Sequence, residues 1–284
     1  MEAYWSLVRP RIMAMVLLAM TAAAWTAAGH WPGAPLLHAL LGTAAVIAGA
    51  VALNQRLEFS VDGKMARTAG RPLPSGRLTD RQVTRFGLLA SAAGVAYLLL
   101  LTNSLLSALA VVSWLLYVWA YTPLKSVTIW QTPIGAIAGA MPVLLGAAAV
   151  GAPASPVALV LFGIVYFWQF PQSMAIAWLY REQFAAAEVK VATVVDPTGR
   201  TAGRLAVFGA AVLLPLSLLP LAMGSRGVWG YAVCAVVLGC GYLAASIDFL
   251  RCPRESSARR LLRTSLVYLP LLLAALLLLA PRSF

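Results

Sequence analysis

Residues 36–55 read LLHALLGTAAVIAGAVALNQ, a run without any charged side chain and with few polar ones. A helix needs about 20 mainly apolar residues to cross the hydrocarbon core of a bilayer. Eight other segments have a similar character, and together they indicate nine transmembrane helices: residues 10–28, 36–55, 84–101, 104–121, 133–151, 156–178, 205–224, 228–249 and 264–281. Spanning strands are excluded because the segments are continuously apolar and do not alternate. The sequence therefore predicts an all-α, polytopic membrane protein, a bundle of nine helices.

The composition of the 284-residue chain also indicates a membrane protein. Hydrophobic residues make up 61% of it, charged residues only 11%, and the mean hydropathy is +0.84. Since soluble chains carry about a quarter charged residues, an ordinary soluble domain is excluded. In a membrane protein a net charge of +12 reflects orientation and contact with anionic lipid. We therefore expect membrane lipid, and no nucleic acid, as a partner.

The basic residues predict the orientation of the chain. With a cytoplasmic N-terminus, every Lys and Arg falls on the cytoplasmic side except Arg226 and Arg282, in agreement with the positive-inside rule. All nine Asp and Glu residues map to the same side. We expect an integral protein of the bacterial cytoplasmic membrane, with the N-terminus and the active site in the cytoplasm and the C-terminus outside. The alternative for the first segment, which follows Arg9 and Arg11, is a signal peptide.

Three oxygen-bearing side chains follow one another at the cytoplasmic end of the second predicted helix. Asn54, Glu58 and Asp62 are spaced by four residues, which places them on one helical face. Carboxylates at the end of a membrane helix are expected to face a polar cavity. Oxygen ligands of this kind suit Mg²⁺, which takes one or two protein carboxylates and completes its shell with water and phosphates. These residues are therefore candidate metal ligands.

A basic cluster follows the acidic residues directly. It surrounds the turn Pro72-Leu73-Pro74-Ser75-Gly76 and consists of Lys64, Arg67, Arg71 and Arg77. Arg side chains bind phosphate groups through two hydrogen bonds each. Acidic metal ligands next to cations suit a metal diphosphate, because each site neutralises part of its charge. The alternative is a solvated loop whose Arg residues only set the topology.

Residues 54–77, NQRLEFSVDGKMARTAGRPLPSGR, resemble the first acidic motif of the UbiA superfamily of intramembrane prenyltransferases. Residues 9–11, 121–125, 135–146 and 258–270 are also similar to that family. The resemblance implies one prenyltransferase domain over residues 1–284 and a Mg²⁺ cofactor. It implies catalytic roles for Asp62, Lys64 and Arg67, and diphosphate binding by Lys64, Arg67, Arg71, Arg77 and Lys125. Asn54, Glu58, Asp62 and Glu182 are the implied metal ligands.

The chain departs from the family in the second acidic motif, after the sixth helix. Gln172 stands where haem-modifying members have a histidine, and Gln183 stands where they have an aspartate. Only Glu182 clearly keeps a carboxylate in the motif. Glu188 and Asp196 lie further along, at spacings that do not share one helical face with it. We therefore expect Glu182 to be the second metal contact, with a solvated loop as the alternative.

Within the superfamily the sequence is most similar to members that modify haem. This likeness implies transfer of a farnesyl group from farnesyl diphosphate to a vinyl group of haem B, which gives haem O, and it implies haem-enzyme assembly proteins as partners. Three alternatives stay open. The acceptor could be a quinone precursor or another lipid, the chain could be a non-catalytic haem-binding assembly factor, or it could be a transporter. The absence of an internal repeat argues against the transporter.

Overall fold

The computed structural model describes residues 2–223 and 229–279, and these residues fold entirely into helices and connections. Within these described ranges, nine helices are long and apolar enough to cross a membrane, which confirms the predicted class. They are α1 Pro10–Ala28, α2 Ala34–Leu57, α3 Asp80–Leu101, α4 Ser104–Leu124, α5 Gln131–Ala149, α6 Pro156–Leu179, α7 Arg200–Leu216, α8 Trp229–Arg251 and α9 Glu255–Leu279. Short helices cover Glu2–Leu7, Phe59–Gly63, Arg181–Ala186, Ala192–Val195 and Leu219–Met223.

Three helices begin at least four residues earlier than the sequence predicts. Helices α3, α7 and α9 start at Asp80, Arg200 and Glu255 instead of residues 84, 205 and 264. Hydropathy detects only the apolar part of a helix, whereas the helix itself begins at its cap. For α3 this cap is a capping box in which Thr79 and Gln82 bond each other's backbone N–H groups.

Some predicted features lie outside the described residues. They are the end of the seventh predicted segment at residue 224, the start of the eighth at residue 228, the end of the ninth at residue 281, and the two outer arginines, Arg226 and Arg282.

Helices α2 and α3 pack closely because small residues face each other. A Cβ atom on Gly49 would lie 2.2 Å from Ser91 Oγ, and one on Gly94 would lie 2.7 Å from the backbone nitrogen of Val46. Small residues allow such close approach between membrane helices, where packing replaces the hydrophobic effect.

An apolar cluster joins α6 to α7, α8 and α9 around the buried Tyr231, Tyr242, Phe249 and Tyr268.

The C-terminal half of α4 departs from regular α-helical geometry next to the cavity. Residues Leu116–Tyr121 form a π-helical segment, and Pro123 follows in the next turn. Such segments are rare and occur often at functional sites. The segment turns Tyr117 and Tyr121 towards the bundle interior, where their rings stack with centroids 5.7 Å apart. Gly135 on α5 leaves room for this arrangement, because a Cβ atom there would lie 2.5 Å from the Tyr121 ring.

Candidate active site

A cavity of about 420 Å³ opens between α1, α2, α4, α5 and α6. Its volume lies in the range of small-molecule sites. Its charged end is formed by Glu58 and Asp62, and its apolar walls reach Val46 and Leu145. Val46 lies twelve residues before Glu58, which at 1.5 Å per helical residue is a depth of about 18 Å. The cavity therefore suits a molecule with a charged head and an apolar tail.

The acidic residues sit where α2 ends. Helix α2 stops at Leu57, and the short helix Phe59–Gly63 carries Asp62. The backbone N–H of Glu58 still donates to Asn54 O at 2.9 Å, and that of Asp62 to Glu58 O at 2.7 Å. These bonds preserve the spacing of four residues across the break, so Glu58 and Asp62 both line the cavity.

Asn54 is buried behind this pair and does not line the cavity. Its Nδ2 donates to Thr122 Oγ1 at 2.8 Å, and its Oδ1 accepts from the Tyr117 hydroxyl at 3.3 Å. Both partners belong to α4. Asn54 therefore joins the end of α2 to the π-helical segment, a role that its spacing alone does not reveal.

Two cations neutralise Glu58. Its Oε1 accepts a hydrogen bond from Lys125, and its Oε2 lies 3.6 Å from Arg71 Nη1. Burial alone would raise the pKa of Glu58, but Lys125 and Arg71 together lower it below its ordinary value. Burial alone would likewise lower the pKa of Lys125, yet Tyr121 and Glu58 raise it above the usual lysine range. Both groups are therefore charged.

The surroundings of Asp62 are less favourable to a charged carboxylate than those of Glu58. Its side chain is 1% exposed, Arg71 bonds its Oδ2, and its Oδ1 has no hydrogen-bond partner among the described residues. Burial raises the pKa of Asp62, and the attraction of Arg71 offsets only part of that rise. An unsatisfied buried carboxylate oxygen costs free energy unless a further group binds it.

The two carboxylates fit one hard divalent cation. Mg²⁺ is usually held by one or two carboxylates and completes its shell with water and substrate phosphates. Glu58 and Asp62 provide that number, and the unpaired Oδ1 of Asp62 provides a free oxygen. No cluster of three or more acidic, His or Cys residues occurs in the described ranges, so the protein's ligands alone would not complete the shell.

Four cations line the cavity: Arg9, Arg67, Arg71 and Lys125. Two other cations that the sequence predicts at the site, Lys64 and Arg77, do not line the cavity. Lys64 is exposed, and Arg77 donates to Gly70 O at 2.5 Å and to Ser75 Oγ at 3.1 Å, so it stabilises the turn. Four cations against two carboxylates leave an excess of positive charge, which favours an anionic ligand.

Sequence reasoning did not assign Arg9 to the site. Arg9 precedes Pro10, the first residue of α1, and has the left-handed backbone angles φ 53° and ψ 66°. Non-glycine residues rarely adopt this conformation. Burial and the neighbouring Arg71 lower the pKa of Arg9. The sequence signals at this position were the Arg-Pro pair at the start of a membrane helix and the similarity of residues 9–11 to the family.

Three polar residues of the second acidic motif, Gln172, Glu182 and Gln183, stay outside the cavity lining, whereas the neighbouring Phe184 belongs to it. The Glu182 carboxylate is exposed and pairs with Arg181 at 3.2 Å, and Gln183 Oε1 accepts the backbone N–H of Arg67 at 3.2 Å. Gln172 does not line the cavity, although its neighbour Ser173 does. The structure therefore does not bring Glu182 to Asp62, and its assignment to the metal stays a prediction.

A polar side chain deep in the cavity also escaped sequence reasoning. Gln169 lies in the middle of α6, and its Nε2 donates to Ala136 O at 3.0 Å and to Val165 O at 2.9 Å. Its Oε1 faces Gly139, where a Cβ atom would lie 2.1 Å away. The amide NH₂ group of Gln169 donates both hydrogen bonds to the cavity wall, and this fixes the orientation of its carbonyl oxygen.

The described helices form a membrane bundle, and four cations and two carboxylates line one end of its apolar cavity, an arrangement that suits an amphipathic anion. Residues 15–279 match the UbiA prenyltransferase family. The chain belongs to this family and is a prenyltransferase.

Curated relatives match over nearly the whole chain. The protoheme IX farnesyltransferase of Solibacter usitatus is 37% identical, with 98% of both chains covered. The one of Opitutus terrae is also 37% identical, covering 96% of this chain and 92% of that protein. The mitochondrial enzyme of the same name from Arabidopsis thaliana is 34% identical, covering 97% of this chain and 64% of that protein.

Two solved structures share the fold. A structure described as digeranylgeranylglyceryl phosphate synthase superposes with a TM-score of 0.80 at 17% identity, covering 97% of this chain and 96% of that chain. A UbiA homologue from Archaeoglobus fulgidus bound to GPP and Mg²⁺ has a TM-score of 0.68, also at 17% identity, covering 96% and 98%. At this identity the likeness concerns the fold alone.

Proposed function

We propose that this prenyltransferase is a protohaem IX farnesyltransferase, which transfers the farnesyl group of farnesyl diphosphate to a vinyl group of haem B and so gives haem O. The observation that carries the proposal is the full-length similarity to relatives of that name, at up to 37% identity. The cavity supports it, because four cations and two carboxylates stand at the entrance of an apolar pocket. The proposal treats residues 1–284 as one prenyltransferase domain.

The cations at the entrance bind the diphosphate. Arg67, Arg71 and Lys125 provide charged donors, and Arg9 adds a fourth from the start of α1. Arg71 and Lys125 pair with Asp62 and Glu58. Each has further N–H groups that can donate to phosphate oxygens.

Glu58 and Asp62 form the proposed Mg²⁺ site. The unpaired Oδ1 of Asp62 and the carboxylate of Glu58 are the groups that would hold the ion. Bound there, Mg²⁺ supplies positive charge that stabilises the negative charge developing on the departing diphosphate. Asn54 orients the end of α2 through Tyr117 and Thr122 instead of binding the ion directly.

The walls of the cavity protect the allylic cation that forms as the diphosphate leaves. Tyr117 and Tyr121 line the cavity beside Lys125, and their stacked rings present π-electron density. Aromatic faces attract cations. The apolar side chains further in, among them Val46 and Leu145, hold the tail and exclude water from the reacting carbon.

We further propose that the cavity entrance faces the cytoplasm of a bacterium. The basic residues of the described connections support this orientation, because cytoplasmic loops are rich in Lys and Arg. Both substrates would then enter from the cytoplasmic leaflet or from within the membrane, and haem-enzyme assembly proteins would receive the product.

Mass analysis of extracted haem tests the function. The full-length protein is purified and incubated with haem B, farnesyl diphosphate and Mg²⁺, and parallel reactions contain a metal chelator or a quinone precursor in place of haem. We expect a farnesylated haem that depends on Mg²⁺. Farnesylation of the quinone precursor alone would indicate another acceptor, and haem binding without product would indicate a non-catalytic haem carrier; either result would contradict the proposal.

A further inference from the structure

The connection between α6 and α7 bonds to two cationic residues that line the cavity. Its short helix Arg181–Ala186 lies beside Arg67, whose backbone N–H donates to Gln183 Oε1 at 3.2 Å. Further along, the backbone N–H of Lys190 donates to the carbonyl oxygen of Lys125 at 2.8 Å. One connection therefore holds the main chain of both Arg67 and Lys125.

The same connection holds the side chain of Arg67. The guanidinium carbon lies 5.1 Å from the centre of the Tyr180 ring and 6.0 Å from that of Phe184. Cations within about 6 Å of an aromatic centre are attracted to the ring. Arg67 forms no ion pair with any acidic residue that the structure describes. Its place at the cavity therefore depends on this connection and not on a carboxylate.

Neighbouring positive charges make the position of the Arg67 guanidinium unfavourable. Arg9 and Arg71 also line the cavity, and they repel a third guanidinium group. Repulsion between like charges in a partly buried site is several times stronger than in water. Arg67 is solvent-exposed at the edge of the cavity, and the contacts of its guanidinium with Tyr180 and Phe184 and of its backbone with Gln183 hold it there.

An apolar cluster makes the two connections one unit. Met65, which is 4% exposed and two residues before Arg67, packs with Ala177, Ala187, Val189 and Val191. Packing of this kind fixes the geometry of the segments that carry a site.

We propose that the α6–α7 connection positions Arg67 and Lys125 for the diphosphate, with Gln183 as the positioning residue for Arg67. This inference rests on the proposed function, because it takes both cations as diphosphate ligands. A cation that is already in place loses less conformational freedom on binding, which strengthens the interaction. Gln183 thus uses its side-chain oxygen on the backbone of Arg67, at the motif position where the related family members have an aspartate.

A double-mutant cycle on pyrophosphate binding tests the inference. The dissociation constant for inorganic pyrophosphate with Mg²⁺ is measured on the purified full-length protein, on Gln183→Met, on Arg67→Ala and on the double variant. Gln183→Met removes the acceptor at similar length and is expected to weaken binding about three- to tenfold. In the Arg67→Ala background, Gln183→Met should not change the dissociation constant further. The backbone N–H of residue 67 is still present there, but the side chain that Gln183 positions has been removed.

Two further variants accompany the cycle. Gln183→Glu keeps an acceptor oxygen and should bind within about twofold of the unsubstituted protein. Ala186→Gln, at an exposed position of the same short helix, should leave binding unchanged. If Gln183→Met does not fold, Phe184→Leu replaces it in the cycle, since it removes a ring beside Arg67 and should show the same dependence on Arg67.

The outcomes separate the inference from the proposed function. If Gln183→Met weakens pyrophosphate binding equally in the presence and absence of the Arg67 side chain, the inference is overturned. A lower Mg²⁺ requirement in Gln183→Asp would also overturn it, because that result would place the metal at residue 183. Pyrophosphate binding that does not depend on Arg67 would overturn the inference while the proposed function stands. An unsubstituted protein that binds no pyrophosphate would remove both.

Discussion

Arg71 and Asp62 form a buried ion pair that leaves the second carboxylate oxygen of Asp62 without a partner. Arg71 bonds Oδ2, whereas no described residue bonds Oδ1. The same guanidinium lies 3.6 Å from Glu58 Oε2. A single arginine thus contacts both acidic residues, and the unpaired oxygen of Asp62 is available to a cation.

Replacing Asp62 by Asn should nearly abolish turnover. The change keeps the shape of the side chain and removes its charge, so we expect a decrease of about a hundredfold or more in the rate of haem farnesylation, as is common when a charge-stabilising group is lost. Mass analysis of extracted haem measures this rate. Asp80→Asn, which removes an exposed ion pair with Arg56, is the matched control and should keep full activity. Near-normal turnover of Asp62→Asn would rule out its metal role.

Two substitutions of Arg9 should separate backbone strain from charge. Arg9→Gly and Arg9→Ala both remove the guanidinium, so both should raise the KM for farnesyl diphosphate, by about tenfold. Because the backbone at residue 9 is left-handed, the Gly variant should be about 1 kcal/mol more stable than the Ala variant.

Thermal unfolding of the purified Arg9 variants checks the stability difference, and steady-state kinetics checks the KM. The exposed neighbour Arg11 gives a control, since Arg11→Ala should change neither value. A KM unaffected by both Arg9 substitutions would exclude Arg9 from the diphosphate site.

Adding one methyl group at Gly139 should disturb the deep wall of the cavity. The new Cβ atom would lie 2.1 Å from Gln169 Oε1, so the amide must move and lose its bonds to Ala136 and Val165. We expect Gly139→Ala to lower both activity and melting temperature, with a loss of about 1–3 kcal/mol in stability.

Gly241 on α8 is the matched control for Gly139, because a Cβ atom there meets nothing within 4 Å. Gly241→Ala should be neutral or stabilising by up to about 1 kcal/mol, as alanine is the better helix former. A Gly139→Ala protein as active and as stable as Gly241→Ala would show that the position of Gln169 does not matter.

A pair of reporters should reveal the orientation. A reporter inserted at Gly76, in the exposed turn after Arg71, should lie in the cytoplasm. A reporter fused after Phe284 should lie outside, because an odd number of spans places the two ends on opposite sides. Accessibility to a membrane-impermeant reagent distinguishes the two locations. Reporters found on the same side would contradict the nine-span arrangement.

The sequence alone determined the class of fold and the position of the site along the chain. The number of spans followed from runs of about 20 apolar residues, because the bilayer sets the length of a spanning helix. Glu58 and Asp62 were recognisable because carboxylates at the end of a membrane helix are expected to face a polar cavity, and the arginines were recognisable because they follow these carboxylates directly. The quoted motif at residues 54–77 also carried the family resemblance.

Only the tertiary structure decided which of these residues act together. Arg9 joins the cavity from α1, whereas Lys64 and Arg77 point away from it. Such outcomes depend on how helices distant in sequence pack, which local spacing does not encode. The same holds for Gln183: its side-chain oxygen contacts the backbone of Arg67, 116 residues earlier, because the apolar cluster around Met65 brings the two connections together.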